Sequence, residues 1–254
     1  MDHIKGKKLL KLLNYKSTST FYILYVLVGL SVILLWLLFS KILLLIFLIV
    51  ASYHFGKEDS EFINSKSNLE LVYFFKGSLV ITAPLLFHKT ETLNIFNNLN
   101  FDISQSLFIS NEFLYVFIAI SLFANIIISL NKQIDIKSLL LMDFISILLL
   151  NYFLNPILAF TIYFCFLHSI RHSFKLSNEL NKKNFIKGFK EFLVKAMPLT
   201  ILTAILFLIS LFFLNNYYFL DNAISKVIFI GLASLTFPHI LLEYFLEKNE
   251  KQRN

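Results

Sequence analysis

The segment from Tyr163 to Ser173, YFCFLHSIRHS, places two imidazoles, His168 and His172, four residues apart at the end of an aromatic run. On an α-helix that spacing puts both side chains on one face, where they can serve as two ligands of a single metal ion. The chain holds six histidines. His54 closes another apolar segment, in SYHFGKED, and His239 lies near the end of a third, in FPHILLEYF. A site of neutral imidazoles suits iron, zinc, copper or nickel rather than magnesium or calcium. Spacing alone does not separate these metals. Zinc can be closed by four ligands, whereas iron keeps positions open for oxygen chemistry. The plainer alternative is a set of interfacial histidines with no metal. That reading is preferred for His88, which falls apart from the others.

These residues must be positioned by a chain of 254 residues that is 57% hydrophobic and only 15% charged, with 30 Phe. A soluble domain carries about a quarter charged residues, and several apolar runs here are long enough to cross a bilayer. The expected fold is all-α, a polytopic transmembrane helix bundle of about eight spans. They are placed at 20–39, 42–56, 69–87, 112–130, 138–154, 155–173, 193–214 and 222–243. Together they form a single integral membrane domain over residues 1–254. Asn155-Pro156 marks a tight turn between the fifth and sixth. The Lys-rich start leads into a long apolar span with no small-residue cleavage site, which reads as a retained helix. The single cysteine, Cys165, leaves the redox compartment unread. The net charge of +7 belongs to loops, with no basic tract interleaved with aromatics on a soluble element, so no nucleic acid is expected as a partner.

Charge also orients the chain. With the N-terminus inside, the outer segments carry only Lys41 and Lys89, and Lys76, Lys195 and Lys226 lie in or near spans. The remaining Lys and Arg are inner. The positive-inside rule therefore predicts cytoplasmic N- and C-termini in a multi-pass protein of the cell (inner) membrane. In that topology His54, His168, His172 and His239 share one depth near the inner face. His3 lies in the inner N-terminal segment, and His88 falls on the opposite side. Arg171 reads as a cytoplasmic anchor whose stem snorkels. Asp143, in LLLMDFISILLL, is an intramembrane carboxylate, which is expensive and usually functional. It either accepts a hydrogen bond from a ligand histidine, fixing its tautomer, or pairs with a neighbouring polar group. Glu58 and Asp59 either stand behind the histidines or begin a wet loop, and Gly56 lets the chain turn at the membrane edge. The Phe content either fills a membrane interior or lines a tunnel for an isoprenoid; composition leaves both open.

Three blocks, SYHFGKED, TIYFCFLHSIRHSF and VIFIGLASLTFPHILLEYF, resemble in order and spacing the Brp/Blh family of membrane-bound β-carotene 15,15′-dioxygenases. The similarity covers most of the chain. It implies packed transmembrane helices around a non-haem iron(II), Fe(2+). The implied reaction is cleavage of the central 15,15′ double bond of β-carotene by O2, giving two all-trans-retinal. The resemblance places metal ligands at His54, His168 and His172. His239, His3, Asp143 and Asp59 are candidates for an additional ligand or for a group that orients one. The family's early ligand histidine precedes an Asp that Asp2 resembles, so that histidine and a preceding span would lie upstream of Met1. The expectation is a sequence that starts late, with His3 as a candidate substitute. Expected partners are β-carotene, O2, the lipid bilayer and a retinal-using rhodopsin in the same cell. Two alternatives stand beside this reading. One is a membrane carotenoid-binding relative without turnover. The other is a further membrane metal-dependent lipid oxygenase or desaturase, although di-iron enzymes of that kind need more histidines.

Overall fold

The computed structural model describes residues 2–12, 18–60, 69–102, 109–130 and 132–251. The elements are α1 (Asp2–Leu12), α2 (Thr18–Glu58), α3 (Glu70–Phe87), α4 (Lys89–Asn98), α5 (Asn111–Ser129) and α6 (Ile134–Phe153). After them come α7 (Pro156–Ile162), a π-helical segment (Tyr163–Ser169), α8 (Ile170–Leu180), α9 (Phe185–Leu214) and α10 (Leu220–Lys251). Among the described residues, seven helical stretches are long and apolar enough to cross a membrane, counting Pro156–Leu180 as one. The chain is an all-α polytopic bundle, as its composition requires.

The difference from the expected eight spans lies at the start. The segments 20–39 and 42–56 belong to one helix, α2, of 41 residues. A straight helix of that length would extend about 60 Å, twice the thickness of a bilayer's hydrocarbon core. The backbone breaks at Phe39, which has φ −135° and ψ 47°, so each part is about one span long. No Gly or Pro occurs between Leu30 and Phe55, and helical bonding resumes at once on the far side. The expected turn at Asn155-Pro156 is present as a helix start. Asn155 Oδ1 accepts from the Leu158 amide at 2.9 Å, and Pro156 occupies the first helical position, where no N–H is needed.

By contacts the chain divides into two compact units, residues 1–43 with 193–254, and residues 44–192. In the first, α1 lies along α10, with Leu9, Leu242 and Leu246 as a buried cluster and Leu12 and Phe21 against it. Lys5 forms an ion pair with Glu243. In the second, α3 packs on α5 and α6, and Ile128 and Leu140 meet Val72, Tyr73 and Ile136. Of the spans, Glu70–Phe87 buries the largest share of its residues, 44%.

Gly56 does not turn the chain. It lies inside α2 with φ in the ordinary negative range, and it is small because α3 runs against it. A Cβ at Gly56 would stand 1.8 Å from the Tyr73 carbonyl oxygen, and one at Gly77 would stand 1.9 Å from that of Ser52. The Ser52-x-x-x-Gly56 spacing thus lets two backbones touch, as small residues four apart do in membrane helices. This contact fixes the last turns of α2, which carry His54 and Glu58 and lead into Asp59.

Candidate functional site

The end of α2 faces the helix that contains the π-helical segment. In the second unit these two elements carry His54, Glu58, Asp59, Tyr163, His168, Arg171 and His172. His168 Nδ1 lies 2.9 Å from Asp59 Oδ1, and His172 Nδ1 lies 2.7 Å from Glu58 Oε2. Two successive acids therefore hold the two imidazoles of the HSIRH segment, one each. A carboxylate on Nδ1 calls for the proton there, and in the neutral ring it leaves the Nε2 lone pair for a metal. His54 and Glu58 stand four residues apart on α2, with ligand atoms within 4.8 Å of each other. The His54 and His168 rings meet edge-on with centroids 5.7 Å apart. Two imidazoles sharing an ion through bonds of about 2.1 Å have ring centres no more than about 6.5 Å apart, so this pair is within range. Neutral imidazoles with anionic supports fit a transition-metal ion.

The π-helical segment explains how Asp59 is gripped. The Tyr163 hydroxyl donates to Asp59 Oδ2 at 2.7 Å while His168 takes Oδ1. Tyr163 and His168 are five residues apart. On a regular α-helix residues five apart diverge by about 140°. The i→i+5 bonding of a π-helix brings them to the same side. Phe55 stands edge-on to His168 at 5.0 Å and Phe164 stacks on it at 5.6 Å. Asp59 lies one residue past the Ser19–Glu58 span. Burial pushes its carboxyl up, but hydrogen bonds from His168 and Tyr163 and the charge of Lys76 hold it below its usual value. It is the anion that the His168 tautomer needs.

Of the two partners open to Asp143, the structure shows Arg171. The guanidinium donates to both carboxylate oxygens, at 2.8 and 2.7 Å. Arg171 is thus no snorkelling anchor, because its head is held inside the unit by a two-pronged ion pair. Its Nη1 also approaches the Asp59 carbonyl at 3.4 Å. Asp143, Arg171, Asp59, Lys76, Asn125 and Tyr163 line a cavity of about 20 Å³. That is room for a water molecule rather than for a polyene.

Three histidines remain. His239 is in the first unit, on α10, with Nε2 3.5 Å from Glu243 Oε1. His3 falls in α1, and its side chain lies outside the described residues. His88 sits at the junction of α3 and α4, 3.8 Å from Glu91. From the sequence alone, Tyr163 and Lys76 receive no site role, and Lys76 is placed only in or near a span. A lysine within an apolar span, in YFFKGSLV, was the available signal for one of them. The π-helical pairing that brings in Tyr163 leaves none.

The chain matches the family described as beta-carotene 15,15′-dioxygenase over residues 1–247. A relative from an uncultured marine bacterium, 66A03, carries the name beta-carotene 15,15′-dioxygenase. It is 28% identical over 240 residues, covering 91% of this chain and 82% of the relative. No solved structure matches. The Brp/Blh resemblance of the three motif blocks points the same way. The chain belongs to the β-carotene 15,15′-dioxygenase family.

Proposed function

We propose that this chain is an iron(II)-dependent membrane dioxygenase that cleaves the central 15,15′ double bond of β-carotene with O2, giving two all-trans-retinal. The observation that carries this reading is the pair of carboxylate-anchored imidazoles beside His54, in a chain of this family. His54, His168 and His172 would hold the metal, the last two through Nε2. Bound there, iron(II) supplies the redox chemistry toward O2 that amino-acid side chains lack.

The chain's own groups do the rest. Asp59 and Glu58 keep a proton on each Nδ1, so both rings are held in one tautomer and one orientation. Neutral imidazoles add no negative charge, which preserves the Lewis acidity of the ion. Phe55, Phe160 and Phe164 pack together near His168 and keep water from it. The same aromatic surface suits an apolar polyene. The distribution of Lys and Arg puts both termini on the cytoplasmic side of the cell membrane.

The test is expression of this chain in cells that accumulate β-carotene, with retinal quantified by chromatography. The metal content of the purified protein is measured alongside. Retinal formation that disappears in His168→Ala and His172→Ala, with loss of bound iron and unchanged helicity, is the expected result. Purified, correctly folded alanine variants that retain full activity would overturn the assignment.

A further inference from the structure

Lys76 has no part in the reaction proposed above, yet it is buried, at 7% exposure, in the middle of α3. An ammonium inside a span is expensive and marks a specific role. Its Nζ donates to the backbone carbonyl of Asp59 at 2.9 Å and to Ser60 Oγ at 2.8 Å. Ser60 in turn donates its own proton to the Gly56 carbonyl at 2.7 Å. These acceptors sit at the C-terminal end of α2. The last carbonyls of a helix lack partners within it and carry the negative end of its dipole. A cation delivered from α3 therefore caps α2. The Gly56–Gly77 contact, where no Cβ fits on either side, brings α3 close enough for Nζ to reach.

The capped turn is the one that carries Asp59. Its carboxylate Oδ1 lies 2.9 Å from His168 Nδ1, and its backbone carbonyl is what Lys76 holds. The ammonium has a third hydrogen. Lys76 lines the 20 Å³ cavity together with Asn125, whose Oδ1 is buried without a partner among the described residues. One water needs about 10–15 Å³, so a water there could accept from Lys76 and donate to Asn125.

We propose that Lys76 is a positioning residue for the metal centre. By capping α2 from α3 it fixes Asp59 so that His168 keeps its proton on Nδ1 and presents Nε2 to the ion. This rests on the reading of His168 as a ligand.

The test uses the full chain in detergent micelles, labelled with 15N-histidine, with the His168 signals assigned by their loss in His168→Ala. In metal-free wild-type protein His168 is expected to be protonated on Nδ1. Lys76→Met, which keeps the stem and removes the charge, should mix the two tautomers. It should also weaken binding of cobalt(II), measured by chelator competition, about tenfold. Lys76→Arg should restore most of both, which a merely space-filling role would not predict. A wild-type His168 protonated on Nε2 overturns the proposal. So does a folded Lys76→Met with unchanged tautomer and affinity. Should Lys76→Met not fold, Ser60→Ala removes one of the two acceptors. It is expected to shift the tautomer less but in the same direction, and no shift overturns the proposal. A Lys76-dependent tautomer in a protein that binds no metal supports the positioning role and overturns the metal reading, so the two failures are distinguishable.

Discussion

His168 and His88 each stand near an acid, and their surroundings separate a candidate ligand from a bystander. Asp59 Oδ1 lies 2.9 Å from His168 Nδ1, and both side chains are buried, at 8% and 11% exposure. Glu91 lies 3.8 Å from His88 Nδ1 and is 57% exposed. That distance is beyond a hydrogen bond, and the His88 Nε2 is buried with no partner among the described residues. One imidazole meets an oriented, buried carboxylate at hydrogen-bond distance; the other is merely near a charge in water. The lesson is that the group behind a histidine decides whether its free nitrogen is poised.

The largest expected effect breaks the comparison on its strong side. His168→Ala should take retinal formation below detection, and His88→Ala should leave it unchanged, both read as product per mole of folded protein. Equal losses in the two variants would end the distinction. Next comes the carboxylate. Asp59→Asn keeps the size but removes the anion, and metal affinity should fall about 10- to 100-fold, measured by chelator competition. Gly77→Ala tests the scaffold. The added Cβ must push against the Ser52 carbonyl, and overpacking of that kind destabilises by about 1–3 kcal/mol, seen as a lower thermal midpoint in detergent. The smallest effect sharpens the weak side: Glu91→Gln should change stability by less than about 0.5 kcal/mol.

Much of this was legible in the sequence. The helical class followed from apolar run lengths, and the His168–His172 spacing singled out the segment that meets Asp59 and Glu58. Other features were hidden for identifiable reasons. The expected boundary after residue 39 coincides with the break at Phe39, but nothing in the sequence shows that helical bonding continues across it and joins the two expected spans in one helix. Gly56 was read as a turn because a lone glycine at a span's end serves equally for conformational freedom and for close contact. Only the position of α3 decides between them. Arg171 was read outward because charge counting knows nothing of Asp143 on another helix. The i→i+5 bonding of Tyr163–Ser169 leaves no mark in residue type, since Tyr, Phe, Cys and Leu are all at home in an ordinary helix.

That π-helical segment makes the helix sensitive to length in a way that substitutions would not reveal. It behaves as though one residue had been added to an α-helix. Deleting a single residue between Phe164 and Leu167 would let regular bonding return. Tyr163 and His168 would then stand four apart on an α-helix, still on one side. His168 and His172 would keep their mutual spacing and their register with Asp59 and Glu58. A second added residue has no such release and would rotate everything beyond it by roughly 100°. Among relatives of this chain, a one-residue deletion in those few positions should therefore be tolerated better than a further insertion.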